Sequence, residues 1–156
     1  MSKILIAFIV SLLLLTNSCG FKKLKQNNEA LINVKKFETI GVRKISYYLK
    51  NEILLNSSNN SKNEINIILK TSKKSKSKLK NITGKTTKYS LSVETELEIE
   101  NLKTKNKIKK IFSKTMDYNV AKNHTITIDR ERKTELNVSM SIADDINRFL
   151  NIFFKK

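Results

Sequence analysis

Two kinds of side chain in this 156-residue chain stand in patterns that suggest chemistry: one cysteine, Cys19, and a crowd of lysines between Lys70 and Lys88. The thiol can be acylated. The ammonium groups of Lys70, Lys74, Lys76, Lys78, Lys80, Lys85 and Lys88 can neutralise an anionic ligand or surface. The groups a catalyst needs are scarcer. His124 is the only imidazole, and no Ser or Cys motif stands beside it. One cysteine cannot close a disulfide within the chain, and one Cys with one His cannot build a Cys/His zinc site. Asp144 and Asp145 are neighbours on a helical stretch and point different ways. Glu94, Glu96, Glu98 and Glu100 recur at every second position, a cross-strand electrostatic ladder rather than an acid–base pair. The chain is therefore expected to be no enzyme and to hold no metal.

Cys19 has a specific setting. Lys3 is the only charge in residues 1–18, and Ile4 to Leu15 form an apolar run broken only by Ser11. That run is shorter than the roughly 18 or more apolar residues a membrane-spanning helix needs. A basic start, a short apolar middle and small polar residues before a cut are the marks of a secretory signal. Thr16-Asn17-Ser18-Cys19-Gly20 follows, with a small residue before the cysteine and Thr16 where Leu is usual. This is the place where a bacterial lipoprotein is cleaved and acylated. The expected organisation is a lipoprotein signal peptide over 1–18, a lipidated tether over 19–29, and one periplasmic domain over 30–156. A covalent lipid on Cys19 is the only non-protein group, and it also removes the thiol as a nucleophile.

The domain itself reads as alternating periods. Leu31 to Phe37 predicts a short strand, with Ile32 and Val34 on one face. Val42, Ile45, Leu49 and Ile53 recur at steps of three and four, predicting an amphipathic helix. Asn56 to Asn63 is loop-like in composition. Glu64 to Lys80 predicts a long strand with Ile65, Ile67, Leu69 and Leu79 on one face. Tyr89, Leu91, Val93, Thr95, Leu97 and Ile99 alternate with polar residues, predicting a half-buried antiparallel strand. Gly84 offers the turn between the two. Ile108 to Val120 predicts a further strand with Phe112, Met116, Tyr118 and Val120 together. Leu136, Met140, Ala143, Ile146, Leu150 and Phe153 lie at helical spacing, with Asp129 and Glu131 near the helix start and Lys155 and Lys156 at its end. The order β-α-β-β-β-α predicts an α+β two-layer sandwich or roll: a four-stranded, mainly antiparallel sheet packed by two helices.

Net charge is +17, and only four of the 31 basic residues are arginine, a bias that an AT-rich genome also produces. Position therefore matters more than total. If Leu79 is matched with Tyr89, both apolar faces coincide, Lys74 lies opposite Glu94 and Lys70 opposite Glu98. The root of the hairpin is then neutral. Its tip, with Lys76, Lys78, Lys80, Lys85 and Lys88, carries charge without a counter-ion. An anionic ligand would relieve the repulsion, and a phosphate-rich binding tip is the expectation.

The chain resembles the lipopolysaccharide-assembly lipoprotein LptE family of the Gram-negative outer membrane. The likeness runs through Cys19-Gly20-Phe21, similar to the family's Cys-Gly-aromatic start. It continues in Gly84-Lys85-Thr86-Thr87-Lys88-Tyr89, similar to a Gly-x-Thr-x-x-Tyr motif entering the third strand, and in Ala121-Lys122-Asn123 after the fourth. The resemblance implies an α/β roll that plugs and helps assemble the β-barrel protein LptD and binds lipopolysaccharide on its way to the outer leaflet. It places the protein on the periplasmic side of the outer membrane, to which Gly20 after the anchor also points. It adds Lys122 to Lys76, Lys78, Lys80, Lys85 and Lys88 as candidate lipopolysaccharide contacts. Ile82 stands where a family arginine lies, so lysines must make any phosphate contact, without the bidentate fork.

Two other readings remain. An auxiliary lipoprotein of another envelope lipid or peptidoglycan transport system would share the anchor. Nucleic-acid binding would use the same charge, but the strand aromatics offer no platform for bases and the lipid anchor puts the chain in the wrong compartment.

Overall fold

The structure, a computed structural model, describes residues 31–155. The signal segment, Cys19 and the tether lie outside the described residues. Six elements follow in the expected order: β1 (Asn33–Gly41), α1 (Arg43–Leu55), β2 (Glu64–Lys80), β3 (Thr86–Asn101), β4 (Lys107–Asn119) and α2 (His124–Phe154). The strands form one sheet in the order β1-β2-β3-β4. β1 runs parallel to β2, with α1 as the crossover, and the other two pairings are antiparallel. The α+β architecture, a mainly antiparallel sheet of four strands with two helices, is the one the periodicities predict.

Burial follows period two in the sheet. Ile65, Ile67 and Leu69 of β2 and Leu91, Val93, Leu97 and Ile99 of β3 face the helices and are closed to solvent. α1 contributes Ile45, Leu49 and Ile53 to the same core, one residue per turn. Each such side chain contributes about 1.5–3 kcal/mol through burial. The other face of the sheet carries Lys70, Lys109 and the Glu96 and Glu98 carboxylates.

β1 extends to Gly41 rather than ending near Phe37, and Ile32 before it forms an isolated bridge to Ser57. Gly41 sits at φ +104°, and a Cβ there would lie 1.9 Å from the Thr71 carbonyl oxygen. Only glycine fits both the left-handed backbone and the close approach. Thr71 of β2 fastens this corner. Its Oγ1 accepts from the Val42 N–H (3.0 Å), and the Ser46 and Thr71 hydroxyls are 2.6 Å apart.

α2 departs from the expected stripe. It begins at His124, with the Asn123 side chain accepting from the Thr125 N–H at 2.8 Å, so Asp129 and Glu131 stand beyond its first turn. Leu136 and Met140 are 46% and 47% exposed, and Phe153 is exposed too. The buried stripe is Thr134, Glu135, Val138, Ser139, Ile142, Ala143, Ile146 and Leu150, so Ala143, Ile146 and Leu150 lie where the spacing puts them. Val138, Ile142 and Ile146 fill the core in place of Leu136 and Met140, and Glu135 on the same side meets Lys73 of β2 (2.8 Å) and Lys44 of α1 (3.3 Å).

Candidate functional site

The helix-facing side of β2 changes character at Thr71. Below it lie Ile65, Ile67 and Leu69; beyond it Lys73, Ser75 and Ser77 continue on the same side. On β2 the apolar layer therefore stops at Thr71, while on β3 it continues through Val93 and Leu91 to the half-buried Tyr89. Beyond these the hairpin is a polar β-finger. Its turn is held by Asn81, whose Oδ1 accepts from the Thr83 N–H (3.1 Å), the Lys85 N–H (2.9 Å) and the Thr83 hydroxyl (2.8 Å). Gly84 takes φ +78° in that turn.

The register differs by two residues from the sequence expectation. Tyr89 faces Ser77, not Leu79; Lys74 faces Ser92, and Lys70 faces Glu96. The cause lies at the tip, where Lys80 pairs with Thr86 around the Asn81-built turn and the ladder shifts between Ser77, Leu79 and Lys80. A slip of two keeps every apolar residue on its own face, so patterning alone does not exclude it. Leu79, past the shift, is 51% exposed rather than part of the core face.

Neutralisation of the hairpin root nevertheless occurs, by a different set of partners. Lys70 Nζ reaches Glu98 (2.6 Å) and Glu96 (3.0 Å), and Lys109 of β4 reaches Glu98 from the other side (2.7 Å). Lys107 lies 3.5 Å from Glu100. Lys109 and then Lys70 hold the Glu98 carboxyl down at about 2. Glu94 has no ion-pair partner among the described residues, so its expected pairing with Lys74 is corrected. The contribution of β4 escaped sequence reasoning because it needs a third strand's register.

The tip lysines divide into three settings. Lys78 is not uncompensated: its Nζ lies 2.6 Å from Asp117 of β4, across β3, and its hydrogen bond holds the Asp117 carboxyl below its ordinary range. Lys76 and Lys80 stand exposed on the outer part of β2, and Lys88 is half-buried opposite Leu79. Lys85 and Lys122 line one cleft of about 660 Å³ between the finger and the start of α2, with Tyr89, Tyr118, His124 and Glu131. The two remote lysines, one from the turn and one from the loop after β4, are thus brought together. Tyr89 and Tyr118 stack at its wall, 5.5 Å between centroids with ring planes 20° apart. The aromatic pair was missed from sequence, although both tyrosines hold the apolar-face parity of adjoining strands. Burial raises the Tyr118 hydroxyl above its ordinary pKa.

Such a surface can attract phosphates through the exposed ammonium groups of Lys85 and Lys122, and the half-buried Tyr89, backed by the buried Tyr118, is the aromatic ring at the cleft wall. His124 is exposed at the cleft's rim, and Ser75, Thr86, Thr127 and Glu131 also line the cleft. Asp145 is engaged by Lys114 at 2.8 Å.

This fold is similar to that of solved structures of bacterial lipoproteins. Rare lipoprotein B from Shewanella oneidensis superposes with a TM-score of 0.53 at 16% identity, over 78% of this chain and 93% of that one. A minor lipoprotein from Acinetobacter baumannii gives 0.54 at 17% identity, over 79% and 92%. A Caulobacter crescentus CB15 structure gives 0.57 at 13% identity, over 80% and 90%. At these identities the likeness is one of fold. No family model and no curated protein matches the chain by sequence.

Proposed function

We propose that this chain is a lipid-anchored envelope protein that works without catalysis, as an LptE-type plug and assembly factor of an LptD-like outer-membrane β-barrel, and that its β-finger tip binds lipopolysaccharide in transit. The observation that carries this reading is the division of charge along one hairpin. The root lysine Lys70 is held between carboxylates, whereas Lys76, Lys80, Lys85, Lys88 and Lys122 have no ion-pair partner among the described residues. A solvated lysine surface needs no such gradient. A ligand carrying several phosphates fits these unpaired ammonium groups. The anchor at Cys19 supplies the location, on the periplasmic side of the outer membrane, and the fold shared with lipoproteins is consistent with it.

Crosslinking from intact outer membranes tests the partner. The expected product is a covalent adduct with a large β-barrel protein. Recovery of an inner-membrane transporter instead would favour an auxiliary role in another envelope transport system.

A further inference from the structure

β2 has two neighbours for only half its length. Its pairing with β1 ends at Gly41↔Thr71, whereas its pairing with β3 continues to Lys80↔Thr86. Gly41, at φ +104°, turns the chain out of the sheet, and the Val42 N–H closes on the Thr71 carbonyl at 3.3 Å. From Ser72 onward the outer side of β2 has no strand beside it among the described residues.

That edge has a defined set of hydrogen-bonding groups. The Thr71 carbonyl points to the β1 side, and backbone groups alternate along a strand. The N–H and C=O of Lys73, Ser75 and Ser77 therefore point outward, while Ser72, Lys74 and Lys76 bond toward β3. Ser75 and Ser77 are exposed. On the open face the edge carries Lys74 and Lys76, neither with a carboxylate partner among the described residues. The opposite side of β2 shows which strand such lysines accept: β3, with Glu94, Glu96, Glu98 and Glu100 at alternate positions, where Lys70 bridges two of them.

We infer that Ser72–Ser77 is a docking edge that takes an extended acidic polypeptide segment as an added strand, its main chain bonding to Lys73, Ser75 and Ser77 and its alternate carboxylates meeting Lys74 and Lys76. Strand addition of this kind draws affinity from the main chain and selectivity from alternate side chains. Lysines on an edge also deter self-association, because a second copy would bring like charges together. The inference does not rest on lipopolysaccharide binding.

The test uses the purified full chain and a capped peptide with the sequence of residues 93–100, VETELEIE. The expected result is one-to-one binding, with new hydrogen-exchange protection at the Lys73, Ser75 and Ser77 amides. N-methylation of alternate peptide residues should weaken binding at least tenfold, as should Lys74→Glu with Lys76→Glu. Ser75→Pro removes an outward N–H that the sheet does not use, which an edge strand tolerates, and should weaken binding to the same degree. Should Ser75→Pro unfold the chain, the methylated peptide decides. Equal binding of methylated and unmethylated peptide would reduce the contact to charge attraction and overturn the inference, as would no binding at all.

Discussion

Lys78 Nζ and Asp117 Oδ2 lie 2.6 Å apart, joining the finger's outer strand to β4 across the whole width of β3. Among the described residues this is the one carboxylate clamp on the lysines of the tip. It sets how much of the lysine charge is available to a ligand, because it occupies one ammonium group and places a negative charge beside the others.

Asp117→Asn is accordingly expected to strengthen binding of lipopolysaccharide, by about threefold to fivefold if one lysine near an anionic surface is worth ~1 kcal/mol. Isothermal titration at fixed salt checks this. Because the pair is exposed, the melting temperature should move little. Unchanged or weaker binding would mean that Lys78 does not face the ligand.

Acid should loosen the root of the hairpin. Glu98 ionises at about 2 in the fold, held down first by Lys109 and then by Lys70, against an ordinary value of 4.5. A carboxylate with a depressed folded-state pKa contributes stability that is complete above its unfolded value and is lost as pH falls toward the folded one. The melting temperature should therefore fall as pH drops from about 4.5 to about 2, in the same direction as the lowered Glu100, Asp117 and Glu135 carboxyls require. Glu98→Gln should make that slope shallower. An identical pH profile in the variant would contradict the assignment.

Thr95 offers a gain. It is fully buried in the core face of β3, and its hydroxyl has no hydrogen-bond partner among the described residues. Thr95→Val keeps the shape and removes the unsatisfied group, so urea denaturation should show a stabilisation of about 1 kcal/mol. A loss of stability would mean that the hydroxyl is bonded in solution.

The sheet and the order of elements were legible because β3 alternates over six residue pairs and α1 repeats Ile45, Leu49 and Ile53 on one face. The site was legible only in part. The lysine-rich tip could be read, and so could the idea of a neutral root, but pairings could not. A two-residue slip between β2 and β3 costs no apolar residue its place, so Leu79↔Tyr89 and Ser77↔Tyr89 are equal by pattern. The Asn81 turn, a local hydrogen-bond geometry, decides between them. Likewise the α2 stripe was read from its largest apolar residues, Leu136 and Met140. The core side is instead filled by Val138, Ile142 and Ile146, with Glu135 paired to Lys73 and to the exposed Lys44 on that side, and Leu136 and Met140 stand outside. The Lys85–Lys122 cleft required a turn and a loop 37 positions apart in sequence to be known in space.

The most direct measurement of the central claim is the affinity for purified lipopolysaccharide of the wild-type chain and of a variant carrying Lys80→Glu, Lys85→Glu and Lys122→Glu. Circular dichroism serves as the check that both are folded. Binding in the variant should weaken more than tenfold, and added salt should weaken wild-type binding as well. A folded variant that binds as tightly as the wild type would contradict the account.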